Sequence, residues 1–551
     1  MEKTKEPKAI TLIALTITII VLLILAGVTI ATLTGDNGIL TRAQDAKNKT
    51  EQAEQEERED LDETEDFIND YLAGIKIEQV TDENPGALEG SGTDTDPYVI
   101  NSIEDLVFFA YNVRIGNTYE GQTVELGTNL DFNSDKSYIN PSRTDYVEYG
   151  YDGELKTLLT SGDGFIPIGK YDISTPSDEE VARQSSFEGI FDGNGNVIKN
   201  LYINESAEND AEQIGFFATN CGEIRNLGLI DVNIYVNGKS ISIGGLTGGT
   251  FGNITRCYIS GNINCDVTLW SMVGGITGNA KKSLQITECS NRANITCNNL
   301  GETGQTVVAG IAGNTASEYV EINKCYNSGN IYGYSENNSV DVGGIVSFFR
   351  NGKIMNCYNT GKIEGKGTST TYLGGILGYS GMNEVENNDI YNCYNTGEIV
   401  LDGNISNGRA WIGGIIGQNY KTTLTNVYNT GNITIKGENT NIRVGGIAAG
   451  YANGKIYNGY NTGNIIATNT TSDYIGSIEG HKSAEITNCY YLKGTYSKGI
   501  GVISEGQIDE GVEEVESISE FPSILSVVNT ENAFKEDTNN INNGNPILNW
   551  Q

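Results

Sequence analysis

Histidine is almost missing from this chain: His481 is the only one in 551 residues, and no CxxC pair or Cys/His grouping accompanies it. The usual general base and the usual zinc donor are therefore lacking together. No Ser/His/Asp set, zincin helix or phosphate loop is present, and neither a metal nor a cofactor is expected. His481 itself stands in Gly480-His481-Lys482, which reads as a corner loop without a chemical role. Positive charge is also scarce, with 35 Lys and Arg against 71 Asp and Glu, a formal net charge of −36. Such a surface repels phosphates, which excludes nucleic acid as a partner and suits an exported, surface-exposed protein. No linker break interrupts the chain, so it reads as one long domain on a stalk.

What is present is repetition. From residue 242 to 490 one unit recurs about eight times. An aliphatic residue, a small pair and a second aliphatic come first, as at Gly343-Gly344 and Gly374-Gly375; an aromatic turn follows, as at Cys357-Tyr358 and Cys393-Tyr394. Each unit holds three short extended runs, exemplified by 342–347, 353–358 and 361–364, too short and too rich in Gly and Asn for helices. A unit of roughly thirty residues cannot bury its own apolar face, so the copies must stack. The expected fold is all-β: a right-handed parallel β-helix of about 30-residue coils, preceded by an N-terminal transmembrane or extended α-helix. Ile276, Ile311, Ile345, Ile376, Ile415 and Ile447 should form one inward column. Gly pairs should mark close approach of neighbouring chain, and Asn-Thr-Gly a corner with positive φ.

Cys257, Cys289, Cys325, Cys357, Cys393 and Cys489 share one place in the repeat, which Val427 and Gly459 also fill. A place that accepts Cys, Val and Gly is a small core slot, and it predicts a column of buried thiols. Parallel stacked side chains point the same way and do not bridge easily; Cys265 and Cys297 read as a second short column.

The repeat resembles the GLUG repeat of bacterial surface proteins and of the non-catalytic part of some IgA-specific metallopeptidases, over residues 187–492. Residues 92–106 look like the N-terminal cap of such solenoids, a strand and then a short helix opened by Ser102, and residues 542–550 like the closing strand at the far end. Parallel β-helices also include polysaccharide lyases and hydrolases, whose sites cluster carboxylates with Arg or Lys on one face. The repeats here present Asn, Thr, Tyr and Gly, so an extracellular polysaccharide-active enzyme is the alternative and a non-catalytic protein the expectation.

Residues 10–33 are apolar apart from threonines and Gly27, long enough to cross the ~30 Å hydrocarbon layer, with Lys3, Lys5 and Lys8 before them and acids after them. The N-terminus is then cytoplasmic before any processing, and the remainder lies at the extracellular surface. The junction Lys8-Ala9-Ile10-Thr11-Leu12 resembles that of type IV pilins, with Ala9 where the family carries Gly and Ala14 where it carries Glu. That resemblance implies prepilin peptidase as a partner, cutting between Ala9 and Ile10, and assembly with its own copies or other pilins. A plain signal anchor, held in the membrane without polymerising, is the alternative.

The organisation expected is a basic leader (1–9), an apolar helix (10–34), an acidic helical stalk (35–74), a cap with the first coils and an insertion (75–186), the repeats (187–503) and an acidic C-terminal segment with a cap (504–551). Within the insertion, residues 133–184 carry Tyr138, Tyr146, Tyr149, Tyr151 and Tyr171, candidates for contact with a host or environmental glycan or protein. The regular strand faces, which repeat small polar residues, are not expected to carry recognition. The function expected is that of a pilin-like filament subunit or adhesin. N-terminal sequencing of the mature protein from its own cells should return Ile10; an intact Met1 in membrane fractions would favour the signal anchor.

Overall fold

A computed structural model describes residues 88–114, 116–132, 164–170, 185–315, 318–381, 388–405, 408–439, 441–450, 453–468, 470–482, 485–505, 510–517 and 533–551. The expected leader, apolar helix and stalk lie outside these residues. Among the described residues no helix is long and apolar enough to cross a membrane.

The fold is a parallel β-solenoid of about 9 turns, 56% strand and 3% helix. One coil runs through Ile331–Ser335, Ser339–Gly343, Val346–Phe349, Gly352–Met355 and Tyr358–Asn359 before the path repeats at Ile363–Gly367. Like positions pair in register: Ile331 lies opposite Ile363, Val342 opposite Leu373 and Tyr358 opposite Tyr394. The six expected isoleucines are fully buried. They form a continuous backbone ladder, with Ile345 N–H donating to Ile376 O at 3.0 Å and Ile376 N–H to Ile415 O at 2.9 Å.

Two of the three expected runs are broken, each where the backbone is special. The run 342–347 stops at Gly343 and resumes at Val346, because the glycine pair turns the chain from one sheet to the next. A Cβ on Gly343 would collide with Val346 O, and one on Gly344 with Gly375 O of the adjacent coil. The run 353–358 is broken at Asn356, whose φ is 54°. The left-handed corner is thus the residue before the cysteine: Asn392, Asn426, Asn458 and Asn488 have φ of 53–55°. The Asn-Thr-Gly corners expected there do not have it, since Gly361, Gly397, Gly431 and Gly463 are outside the positive-φ set.

Those corners are held by side chains instead. Asn291, Asn327, Asn359, Asn395, Asn429 and Asn461 are fully buried, and each of the first five donates Nδ2 to the Oδ1 of the next at 2.7–2.9 Å. The same amide donates to the carbonyl two residues on, as Asn359 does to Gly361 O at 2.8 Å. A second ladder, at the left-handed position, links Asn356, Asn392, Asn426, Asn458 and Asn488 at 3.0–3.2 Å. Asparagine tolerates positive φ better than other residues with a Cβ, and here it also bonds between coils.

The N-terminal cap matches its expected form. Tyr98–Ile100 pairs with Thr123–Leu126, and the helix Ile103–Arg114 is opened by Ser102, whose Oγ accepts from Asp105 N at 3.1 Å. Its Phe109 packs on Phe187 and Phe191 at 5.5 and 5.6 Å, closing that end of the core.

The C-terminus differs from expectation. Stacking continues past residue 503 to Val512–Val515, which pairs with Ile486–Leu492. The segment expected to be a closing strand forms a small antiparallel pair, Phe534–Lys535 with Ile547–Leu548, and lies along the flank of the stack. There it covers a column of tyrosines. Tyr326, Tyr358, Tyr394, Tyr428 and Tyr460 stack at 4.7–5.0 Å with planes within 6°. Trp550 tilts over Tyr358 at 5.6 Å and donates to Asn356 O, Tyr394 Oη donates to Gln551 at 2.9 Å, and Tyr428 Oη donates to Pro546 O. These buried phenols need acceptors, and the C-terminal segment supplies them.

Asn395→Ala should destabilise the stack by about 1–3 kcal/mol, because it removes the acceptor of Asn359 and the donor to Asn429 inside the core. Urea unfolding of the variant checks it; an unchanged midpoint would mean the ladder contributes nothing net.

Candidate functional site

The residues proposed for processing and recognition, Ala9, Ile10, Tyr138, Tyr146, Tyr149, Tyr151 and Tyr171, all lie outside the described residues. The cysteine column is described. Cys257, Cys289, Cys325, Cys357, Cys393 and Cys489 are buried free thiols, with Cys393 in register with Val427 and Val427 with Gly459. Cys357 Sγ donates to Met355 O at 3.1 Å, and burial pushes its pKa well above the ordinary thiol value. A thiol held as Cys357 is makes a poor nucleophile. Cys265 and Cys297 depart from the expectation of unbridged columns: they lie opposite each other in register, 4.7 Å apart at Cα, and form a disulfide. Their Cα separation lies within the ~4.4–6.8 Å usual for a disulfide. Among the described residues no group of three or more His, Cys, Asp or Glu is placed to hold a metal ion.

His481 is not in a corner loop. It sits in the strand Glu479–Lys482, opposite Val502, because the outward strand position beside the glycine elbow accepts any side chain. Its Nδ1 is 3.2 Å from Arg443 Nη1, and its Nε2 is 3.1 Å from Ser504 Oγ. Arginine only donates, so Nδ1 must accept and the single proton of the neutral ring is on Nε2. That proton goes to Ser504, whose own hydroxyl donates to Lys482 O at 3.1 Å. Burial, and then the charge of Arg443, lower the His481 pKa and keep the ring neutral. The polarity is opposite to that of a base activating a serine.

The outward strand positions carry something the repeat pattern does not announce. At the glycine elbow two outward columns meet, one two residues before the pair and one four residues after it. Tyr372 and Trp411 occupy the first, Phe348 and Tyr379 the second, and they correct the expectation that these faces show only small polar residues. The rings form one stack: Phe348 to Tyr379 at 4.9 Å, Tyr379 to Tyr372 at 4.7 Å, Tyr372 to Trp411 at 5.0 Å, with planes 16–28° apart. Arg350 lies over Phe348 at 4.8 Å and Arg409 over Trp411 at 5.5 Å. The ring faces are taken up by one another and by the two guanidiniums; Trp411 is buried, and Phe348, Tyr372 and Tyr379 are half-buried. Only outward positions relative to each glycine pair could have revealed it in the sequence.

Phe348, Tyr372 and Tyr379 form one wall of a cleft of about 520 Å³. The rest of the lining is amide and hydroxyl, from Gln305, Asn337, Asn338, Ser339, Ser369 and Thr370, with Gly304, and no charged side chain lines the cleft. Beneath lies Asp341, fully buried and in register with Tyr372. Gln305 Nε2 donates to its Oδ2, while its Oδ1 has no partner among the described residues. Burial pushes the Asp341 pKa well above the ordinary carboxyl value, against a smaller opposing effect of Gln305. Burial thus favours the neutral carboxyl.

No known family's sequence profile matches the chain. The chain is similar to halomucin of Haloquadratum walsbyi (strain DSM 16790 / HBSQ001), 27% identical over 197 residues, which is 35% of this chain and 2% of halomucin. The chain thus matches only a small fraction of that relative's length. Among solved structures, a Bacteroides ovatus protein described as a candidate immunoglobulin A1 protease aligns over 84% of this chain and 95% of its own, at 19% identity and a TM-score of 0.32.

Asp341 gives a pH signature. The unfolded carboxyl ionises above about pH 4, whereas the folded one must keep its proton, so this group's favourable contribution is lost as pH rises toward the folded pKa. Asp341→Asn should melt higher than the parent at pH 7, with the gap closing as pH falls to about 4. An equal gap at both pH values would mean that Asp341 is not held neutral.

Proposed function

We propose that this chain is a non-catalytic, surface-displayed β-solenoid, held at the membrane by residues 10–34, that acts as a pilin-like subunit or adhesin. On this reading the chain path is right-handed, the repeats are of GLUG type, and the leader is removed between Ala9 and Ile10. The observation that carries it is where the chemistry-bearing side chains are used. The buried asparagines bond coil to coil, the tyrosines stack on their own copies, the cysteines fill a core slot, and His481 is locked between Arg443 and Ser504 in the wrong tautomer for a base. A scaffold built this way is rigid, long and chemically quiet, with recognition left to its outward positions. The local similarity to halomucin supports a cell-surface setting.

One observation favours the enzyme alternative: a buried carboxyl, Asp341, whose pKa burial raises, lies beside a polar cleft and bonds its Gln305. Glycoside hydrolysis needs a second carboxylate about 5–9.5 Å away, and no Asp or Glu lines the cleft. Two measurements on the source cells test the proposal. Antibody to the purified chain should label intact cells, and a deletion strain should attach to surfaces several-fold less. Unlabelled cells, or release of new reducing ends from polysaccharide by the purified protein, would overturn it.

A further inference from the structure

We propose that the cleft beside the glycine elbow holds a neutral polysaccharide chain laid along the solenoid axis, with Trp270 as its stacking platform; this rests on the reading of the protein as a surface-displayed binding scaffold. The first support is the polarity of the lining. Gln305 donates one Nε2 hydrogen to Asp341 and Asn338 one Nδ2 hydrogen to Gly301 O at 3.0 Å, so each amide keeps its carbonyl oxygen and one N–H. Neutral groups that accept and donate suit sugar hydroxyls, and no charged side chain lines the cleft to hold an anion. Asn337, Ser339 and Thr370 add groups that both donate and accept, as sugar hydroxyls do. The overall charge of −36 further opposes an anionic chain.

The second support is continuity along the axis. Trp270 lies opposite Gln305, and Gln305 opposite Ser339, so the indole heads the same column of residues one coil before the cleft. Neighbouring strands are ~4.8 Å apart, which places Trp270 within reach of a chain of two or three sugar rings seated in the cleft. It is 49% exposed, and among the described residues, unlike the rings of the stack, it has no ring or guanidinium on its face. An open indole face attracts the C–H face of a pyranose, and its negative quadrupole does not suit a carboxylate. A cleft of about 520 Å³ falls within the ~300–1,000 Å³ typical of small-ligand clefts.

Affinity electrophoresis of the full-length chain in detergent tests this, on native gels cast with galactomannan, xyloglucan, mannan or polygalacturonate, or with none. Retardation is expected in at least one neutral gel and not with polygalacturonate. Trp270→Ala should weaken it about tenfold and Trp270→Ala with Asn337→Ala further, with melting unchanged because both positions are exposed. Migration unaltered by all three neutral polymers, retardation by polygalacturonate alone, or full retardation of the double variant would each overturn the proposal. Labelled cells with no retardation would sink the cleft alone, whereas unlabelled cells would sink the surface reading.

Discussion

Register between coils is the constraint on which everything else depends, and the buried asparagine ladder enforces it. An amide is planar and carries donor and acceptor together, so one side chain can bond its copy in the next coil and still close its own corner. The ladder asparagines are 36, 32, 36, 34 and 32 residues apart, yet their bond lengths scarcely change. Coil length is free, and register is not. A slip of one residue would turn every side chain to the opposite face, strand the amides without partners and put isoleucines into water. The backbone ladder alone would tolerate such slips far better, because every residue offers it the same groups.

In-register stacking also dictates what aromatic residues do here. A tyrosine placed once per coil meets its own copy near 4.8 Å and has little choice but to stack face to face. A column of that kind on an outer flank exposes a long apolar strip. Toward its later coils the C-terminal segment covers the strip and accepts from the Tyr394 and Tyr428 hydroxyls. The second stack, from Phe348 to Trp411, ends in arginines and borders a polar cleft. The two stacks share a physical origin.

Much of this fold was legible in the sequence because a repeat reports its own core. The isoleucine column, the cysteine slot and the Ser102 cap each follow from a residue type recurring at one place or from a local capping pattern, and each lies where expected. The misreadings fall where local rules compete. Asn-Thr-Gly looks like a positive-φ corner, but the asparagine side chain there bonds backbone groups two residues on and keeps the glycine out of that region, while the left-handed residue sits before the cysteine. Residues 542–550 carry the marks of a strand, and nothing in their pattern distinguishes a strand that ends a stack from one that lies along its flank. The disulfide could not be read from spacing, since Cys265 and Cys297 recur at the same interval as thiols that stay free.

The cleft was illegible for a different reason, and that reason explains its location. Inward positions are fixed by packing on the same position one coil away, so they repeat and can be read. Outward positions are less tightly bound to their copies, so selection for anything other than stability acts on them with less disturbance to the stack. The glycine elbow then adds geometry: because two adjacent residues lack a Cβ, the chain turns sharply and brings the outward columns of two sheets together. A position two residues before the pair and one four residues after it become neighbours, as Tyr372 and Tyr379 are at 4.7 Å. In a solenoid of this design the elbow is where variable side chains can be combined from two sheets. The residues that break the repeat pattern there, Asp341, Phe348, Tyr372 and Trp411, lie in the columns that border it.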